Sequence, residues 1–90
     1  MSESLEFTPP LRLGLLLVPT FSMLPYAATV EPLRAANLLA RQELFVWHHL
    51  TIDGLPIRSS NGLRIEPDIA VGEEQDVDVV FVFAGTGVEH

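Results

Sequence analysis

The sequence contains no cysteine, which excludes disulfides, thiolate metal ligands and a cysteine nucleophile within these 90 residues. It contains no lysine either, and its arginines, Arg12, Arg34, Arg41, Arg58 and Arg64, are scattered along the chain. Binding to nucleic-acid phosphates needs clustered cationic side chains, so these residues are not expected to contact DNA or RNA. Twelve acidic residues bring the formal charge to -7, a balance that serves solubility and does not specify a fold. No apolar run approaches the roughly 20 residues of a membrane helix; the longest is Leu13 to Pro19. No serine sits in a Gly-x-Ser-x-Gly elbow, and Gly85-Thr86-Gly87 does not complete the Gly-x-Gly-x-x-Gly dinucleotide fingerprint. The first residues lack the basic segment of a secretory signal, so residues 1–10 read as a leader of a cytoplasmic protein.

What is present is a globular pattern. Hydrophobic residues make up 48% of the chain and charged residues 19%, enough for one small core that buries about 60–65% of the unfolded surface. Leu11 to Val18 is nearly continuous in apolar residues, as a strand of a parallel sheet covered on both faces would be. Ser22 can cap a helix whose apolar positions Leu24, Ala27, Ala28, Leu33, Ala36, Leu38 and Leu39 fall near helical spacing, ending about Arg41 or Gln42. Pro25 fits its first turn, whereas Pro32 removes an interior hydrogen bond and predicts a bend near Glu31.

Leu44 to Ile52 reads as a second strand, closed by Asp53-Gly54, and strand, helix, strand implies a right-handed crossover. Ile57 to Ser59 and Leu63 to Ile65 flank Ser60-Asn61-Gly62, predicting a small hairpin with a tight Asn-Gly turn. Pro67 to Val77, with Glu73, Glu74 and Asp76, reads as a solvated connector holding one helical turn at most. Asp78 to Ala84 is the clearest buried strand. Together these elements predict an α/β fold, a partial flavodoxin-like or Rossmann-like open parallel sheet of the order β-α-β, small β-hairpin, β. Such sheets bind ligands beyond the carboxyl ends of their strands, here Pro19 to Ser22 and Ala84 to Gly87.

The candidate ligand contacts are therefore Thr20, Phe21, Ser22, Gly85, Thr86 and Gly87, with Pro25, Glu31 and Asn61 nearby in the pattern. Glycines there let the backbone approach a ligand, and they equally suit a plain turn. His48 and His49 are adjacent on a strand and point to opposite faces, so they cannot share an ion; one is expected packed and the other exposed. His90 is terminal. No metal site and no cofactor are expected. Ser22, Ser59 and Ser60 have no histidine placed as a base and read as capping and turn residues. Glu31 and Arg34 stand at ion-pair spacing on the helix, and Phe45 and Trp47 read as core or interface.

Leu13-Gly14-Leu15-Leu16-Leu17-Val18-Pro19-Thr20-Phe21-Ser22-Met23-Leu24 followed by Val30-Glu31-Pro32-Leu33-Arg34-Ala35-Ala36-Asn37 resembles the opening of AraC-type transcriptional regulators of the GlxA group. Val46 to Leu50, Ser59 to Leu63 and Asp78 to Gly85 resemble that group's second strand, hairpin and next strand. The resemblance spans residues 11–87, and Glu31-Pro32-Leu33-Arg34-Ala35-Ala36-Asn37 is its most specific part. It implies that residues 11–90 are the N-terminal half of a ThiJ/PfpI-like (class I glutamine amidotransferase-like) sensing domain. DNA would be bound only through C-terminal helix-turn-helix motifs outside this chain. Regulators of carnitine, glycine betaine and arginine catabolism belong to this group, so the implied ligand is a small nitrogenous metabolite and the implied assembly a homodimer, with no membrane partner.

Enzymes of the superfamily carry an acidic residue early in the first helix, working with a cysteine on a nucleophile elbow. The corresponding position here is Pro25, which can neither hold a proton nor accept a hydrogen bond through its side chain. The elbow would lie beyond residue 90. No catalytic residue is thus expected, and a sensor is favoured over two alternatives. One is a superfamily enzyme (an amidase, isonitrile hydratase or glyoxalase-like hydrolase); the other is an interaction fragment without ligand, whose open strand edge would promote self-association.

Overall fold

In the computed structural model, which describes residues 8–73 and 77–85, the apolar run behind Pro10 forms strand β1 (Leu11–Leu17). The chain continues through α1 (Met23–Ala40), β2 (Phe45–Thr51), β3 (Ile57–Arg58), β4 (Arg64–Ile65), β5 (Ile69–Ala70) and β6 (Val79–Phe83). Four strands make an all-parallel sheet in the order β5-β2-β1-β6, and β3 pairs antiparallel with β4 in a separate hairpin. This is the open α/β sheet expected from the pattern of elements.

Register decides which side chains meet. Leu13 aligns with Trp47 and Val79, Leu15 with His49 and Phe81, and Leu17 with Phe83; residues so aligned share a face of the sheet. That face packs on α1, where Leu15, Leu17, Phe21, Val30 and Phe83 form the buried core with Met23, Tyr26 and Trp47 against it. Burial of each large side chain contributes about 1.5–3 kcal/mol. On the other face a Cβ at Gly14 would lie 3.0 Å from Leu50 and 3.3 Å from Val77, so glycine there makes room for the buried Leu50.

Several expectations are corrected. The apolar run of β6 implies burial, yet Val79, Val80, Phe81 and Val82 are exposed and only Phe83 is buried: β6 is the sheet's edge strand among the described residues, with β1 as its neighbour. The connector Pro67 to Val77 contains β5, paired with β2 through Leu50 and Ile69. Its Glu74 and Asp76 lie outside the described residues, as do Thr86, Gly87, His90 and leader residues 1–7. The hairpin does not use a two-residue Asn-Gly turn. The Gly62 N–H donates to the Ser59 carbonyl at 3.0 Å and Gly62 alone in the loop has a positive φ, 90°, a four-residue turn followed by a left-handed glycine. Ser22 occupies the N-cap position of α1, but its side chain makes no capping bond. The helix runs on through Pro32 to Ala40 and ends with Arg41 in the left-handed region, φ 54°.

Asn37 fastens this helix to the sheet. Its amide donates to the Phe45 carbonyl at 2.8 Å, and its Oδ1 accepts from the backbone N–H groups of Leu44 and Phe45 at 2.8 and 3.0 Å. The motif that drew attention to Asn37 gave no hint of this task. Asn37→Ala strips three partners from half-buried backbone, so a loss of about 1–3 kcal/mol is expected in urea unfolding. An unchanged midpoint would refute the staple.

Candidate functional site

In the order β5-β2-β1-β6 the chain builds outward from β1 on one side and then crosses to the other, placing the topological switch point between β1 and β6. Open parallel sheets bind ligands at this end. Here the turn Val18 to Ser22 meets Gly85. The Val18 N–H donates to the Phe83 carbonyl at 3.0 Å. A Cβ on Gly85 would overlap the Thr20 carbonyl oxygen and stand 3.1 Å from the Thr20 carbonyl carbon and Oγ1. The glycine lets two stretches of main chain, at Thr20 and Gly85, touch across the switch point.

Thr20 has φ 66°, a conformation that costs a β-branched residue about 1–3 kcal/mol and that clusters at functional sites. It is held from several directions. Its N–H donates to the Arg58 carbonyl at 2.8 Å and its hydroxyl to the Pro19 carbonyl. The Phe21 N–H closes the turn onto Val18 at 2.9 Å, while the Phe21 carbonyl accepts from the Ser60 N–H at 2.7 Å. The hairpin is thereby clamped over the end of β1.

Beside this turn, between the ends of β1 and β2, lies a cavity of about 360 Å³. Leu17, Pro19, Ile52, Leu55 and Ile57 give it apolar walls, and Asp53 and Arg58 supply a carboxylate and a guanidinium. Asp53 Oδ1 accepts from the Leu55 N–H at 3.0 Å, the local turn expected of Asp-Gly. Arg58 donates to the Gly62 carbonyl at 2.9 Å. A shallow hollow of about 580 Å³ lies beside the C-terminal end of α1, lined by Arg34, Asn37 and Arg41 among others; it is at the opposite end of the sheet from the switch point.

The nominated residues separate accordingly. Thr20 and Gly85 come together at the strand ends. Phe21 is fully buried in the core, so it faces the site only through its backbone. Pro25 is exposed in the first turn of α1, its carbonyl accepting from the Thr29 hydroxyl at 3.0 Å. Glu31 is exposed and paired with Arg34 at 2.7 Å, away from the cavity. Asn61 holds the hairpin turn, its Oδ1 contacting the Ser59 hydroxyl and accepting from the Leu63 N–H at 3.3 Å. Sequence reasoning missed the 52–58 loop, whose one signal, Asp53-Gly54, reads only as a turn.

It also missed a chain of titratable groups. His48 is exposed and His49 packs inward; the Tyr26 hydroxyl lies 2.6 Å from His49 Nε2, and His49 Nδ1 lies 3.2 Å from Asp68 Oδ2. Asp68 also accepts from the His49 backbone N–H at 2.6 Å and donates its own N–H to the His49 carbonyl at 2.7 Å, docking β5 on β2. Burial, then the negative charges of Asp68 and Glu31, raise the Tyr26 pKa above its ordinary 10.0.

A tyrosine whose folded value exceeds its unfolded one contributes stability that is complete below the unfolded pKa and is lost as pH climbs through the folded one. The chain has one tyrosine, no lysine and no cysteine, so Tyr26 dominates that range. Going from about pH 8 to about pH 11, stability is expected to fall in the native chain and to fall less in Tyr26→Phe. Equal slopes in urea titrations at the two pH values would count against this.

No protein-family model matches the chain. It is 41% identical over 80 residues to the HTH-type transcriptional regulator GbdR of Pseudomonas aeruginosa, covering 89% of this chain and 22% of that protein. To the HTH-type transcriptional regulator GlxA of Rhizobium meliloti it is 42% identical over 74 residues, covering 82% of this chain and 23% of the relative. The chain thus spans about a fifth of the length of these homologues. Among solved structures, an AraC family transcriptional regulator from Pseudomonas putida superposes with a TM-score of 0.77 at 27% identity, over 89% of this chain and 50% of that one. A DJ-1 superfamily protein from Agrobacterium tumefaciens gives 0.62 at 24% identity, over 82% and 37%, a likeness of fold. The homologues are transcriptional regulators, and the parallel α/β sheet is shared with an AraC-family regulator and with the DJ-1 superfamily.

Proposed function

We propose that this chain is the ligand-sensing portion of a cytoplasmic AraC-type transcriptional regulator, which holds a small nitrogenous metabolite at the strand ends without turning it over. Residues from Leu11 onward supply the first part of the sensing domain, and DNA is bound by a separate domain. The observation that carries this reading is the cavity beside the strained Thr20 turn. Its volume, about 360 Å³, falls in the range of about 300–1,000 Å³ typical of small-molecule sites. Apolar walls with one carboxylate, Asp53, and one guanidinium, Arg58, suit a small molecule bearing a cationic nitrogen and an anionic or carbonyl group. Pro25, exposed at the start of α1, offers no proton to a reaction. Identity with regulators supports the same reading.

The test uses the full-length protein and a panel of small amines, amides and quaternary ammonium compounds, with calorimetry for binding and chromatography for the fate of the compound. Saturable binding is expected, weakened by Asp53→Ala, with the compound recovered intact and operator affinity changed. Consumption of the compound, abolished by a thiol-blocking reagent, would establish the enzyme reading instead.

A further inference from the structure

We propose that Asn61 is a site of spontaneous deamidation, and that the hairpin turn assists the reaction of its own residue. Asn61 and Gly62 are both exposed at the tip of the hairpin. The attacking atom is the Gly62 backbone nitrogen and the electrophile is the Asn61 side-chain carbonyl carbon, two groups that covalent connection keeps together. Glycine obstructs such an approach less than any other residue. The space around it is also open, since a Cβ on Gly62 would meet nothing within 4 Å.

Negative charge develops on Asn61 Oδ1 during the attack, and two donors already point at that atom. The Leu63 N–H donates to it at 3.3 Å, and the Ser59 hydroxyl contacts it. The Ser59 oxygen also accepts from the Leu63 N–H at 3.1 Å, which leaves its own proton for Oδ1. Ser59 is only 3% exposed, so this donor is held in place. Donors arranged in advance around a developing oxyanion lower the barrier. One bond opposes the reaction: the Gly62 N–H donates to the Ser59 carbonyl at 3.0 Å and must open before solvent base can take its proton. Exposed loop tips open at little cost. Asn37 is the contrasting case, because its amide is tied at both ends to Leu44 and Phe45 and the next residue is the branched Leu38.

The steps balance with water as the one other reactant. Solvent base removes the Gly62 amide proton, the nitrogen bonds to Asn61 Cγ, and the carbonyl electron pair moves to Oδ1. As that pair returns, the Cγ–Nδ2 bond breaks, and Nδ2 leaves as ammonia with a proton from solvent. Water then opens the succinimide. Cleavage at Cγ gives aspartate, whereas cleavage at the Asn61 main-chain carbonyl gives isoaspartate and routes the backbone through the side chain. The added main-chain atom disrupts the turn from Ser59 to Gly62, and the hairpin that the Ser60 N–H ties to the Phe21 carbonyl loosens.

The test holds full-length protein in mildly alkaline buffer, samples it over days and maps the peptides by mass spectrometry. Conversion is expected at Asn61 and not at Asn37, with isoaspartate identified by its enzymatic methylation. The native protein is expected to convert at least as fast as the same protein in concentrated urea, a comparison that needs no variant. Ser59→Ala, with folding verified by circular dichroism, is expected to slow conversion by about tenfold, the effect of one hydrogen bond lost from the transition state. Asn61→Asp is expected to keep the urea midpoint, because its carboxylate accepts the same two hydrogen bonds, while the purified isoaspartyl form unfolds at lower urea. Slower conversion in the native protein than in urea, an Asn61 as durable as Asn37, or unchanged or faster conversion in Ser59→Ala would each overturn the proposal.

Discussion

Phe21→Ala is expected to destabilise the chain by about 3–5 kcal/mol, the usual cost of removing a buried aromatic ring. Small domains have only about 5–15 kcal/mol in total, so this one change should remove a large part of the fold's margin. The ring is fully buried, stands edge-on to Tyr26 with centroids 5.9 Å apart, and belongs to the cluster of Leu15, Leu17, Val30 and Phe83. It is also the inward anchor of the turn whose backbone holds Val18 on one side and Ser60 on the other. The loss should therefore reach the site: the Thr20 turn and the hairpin clamped to it lose their fixed position, and ligand affinity should fall with stability. Phe21→Leu, which keeps most of the volume, is expected to cost less than about 1.5 kcal/mol. Urea unfolding of both variants, with and without bound ligand, checks the claim; a deficit below about 1 kcal/mol for Phe21→Ala would show that the ring is dispensable.

The same residue shows where sequence reading reaches its limit. Phe21 stands at a strand end, which is where ligands bind, and it was nominated on that ground. Position along the chain cannot say which way a ring turns, and this one turns into the core. β1 and β6 were legible as nearly unbroken apolar runs, β2 by its β-branched and aromatic residues, and α1 by apolar positions near helical spacing. β5 was not, since Ile69 and Ala70 owe their conformation to pairing with Leu50 and Thr51 of β2 more than to their own pattern. The exposure of β6 was equally hidden: Val79 to Val82 advertise a preference for burial, while what covers them is a property of the assembled sheet. Asn61 and Gly62 announced a turn correctly, but its type depended on how Ser59 and Leu63 pair across it. For the candidate site, Thr20 and Gly85 could be read as strand ends. The walls contributed by Ile52, Leu55 and Ile57 could not, because they meet Leu17 and Pro19 only after the chain has reversed direction.

Gly85→Ala is expected to cost about 3 kcal/mol, the upper part of the range for forcing an extra methyl into filled space. The obstacle is backbone. The added Cβ would overlap the Thr20 carbonyl oxygen and lie 3.1 Å from the Thr20 carbonyl carbon, and neither can rotate away as a flexible side chain could. Either the end of β6 must retreat from β1, weakening the bond from Val18 to Phe83, or the Thr20 turn must move. Thr20 is already strained at φ 66° and tied to Arg58, so movement there disturbs the rim of the cavity. Thr20→Gly separates these possibilities. Glycine accepts the left-handed conformation freely at an entropic cost of about 0.4–1 kcal/mol in the unfolded chain, which should offset much of the relieved strain and leave the single variant near neutral. In the double variant the relaxed turn can give way to the new methyl, so the combined loss should be smaller than the sum of the single losses by about 1 kcal/mol or more, the coupling expected of residues in direct contact. Strict additivity in a double-mutant cycle of unfolding free energies would mean that Gly85 and Thr20 do not bear on each other.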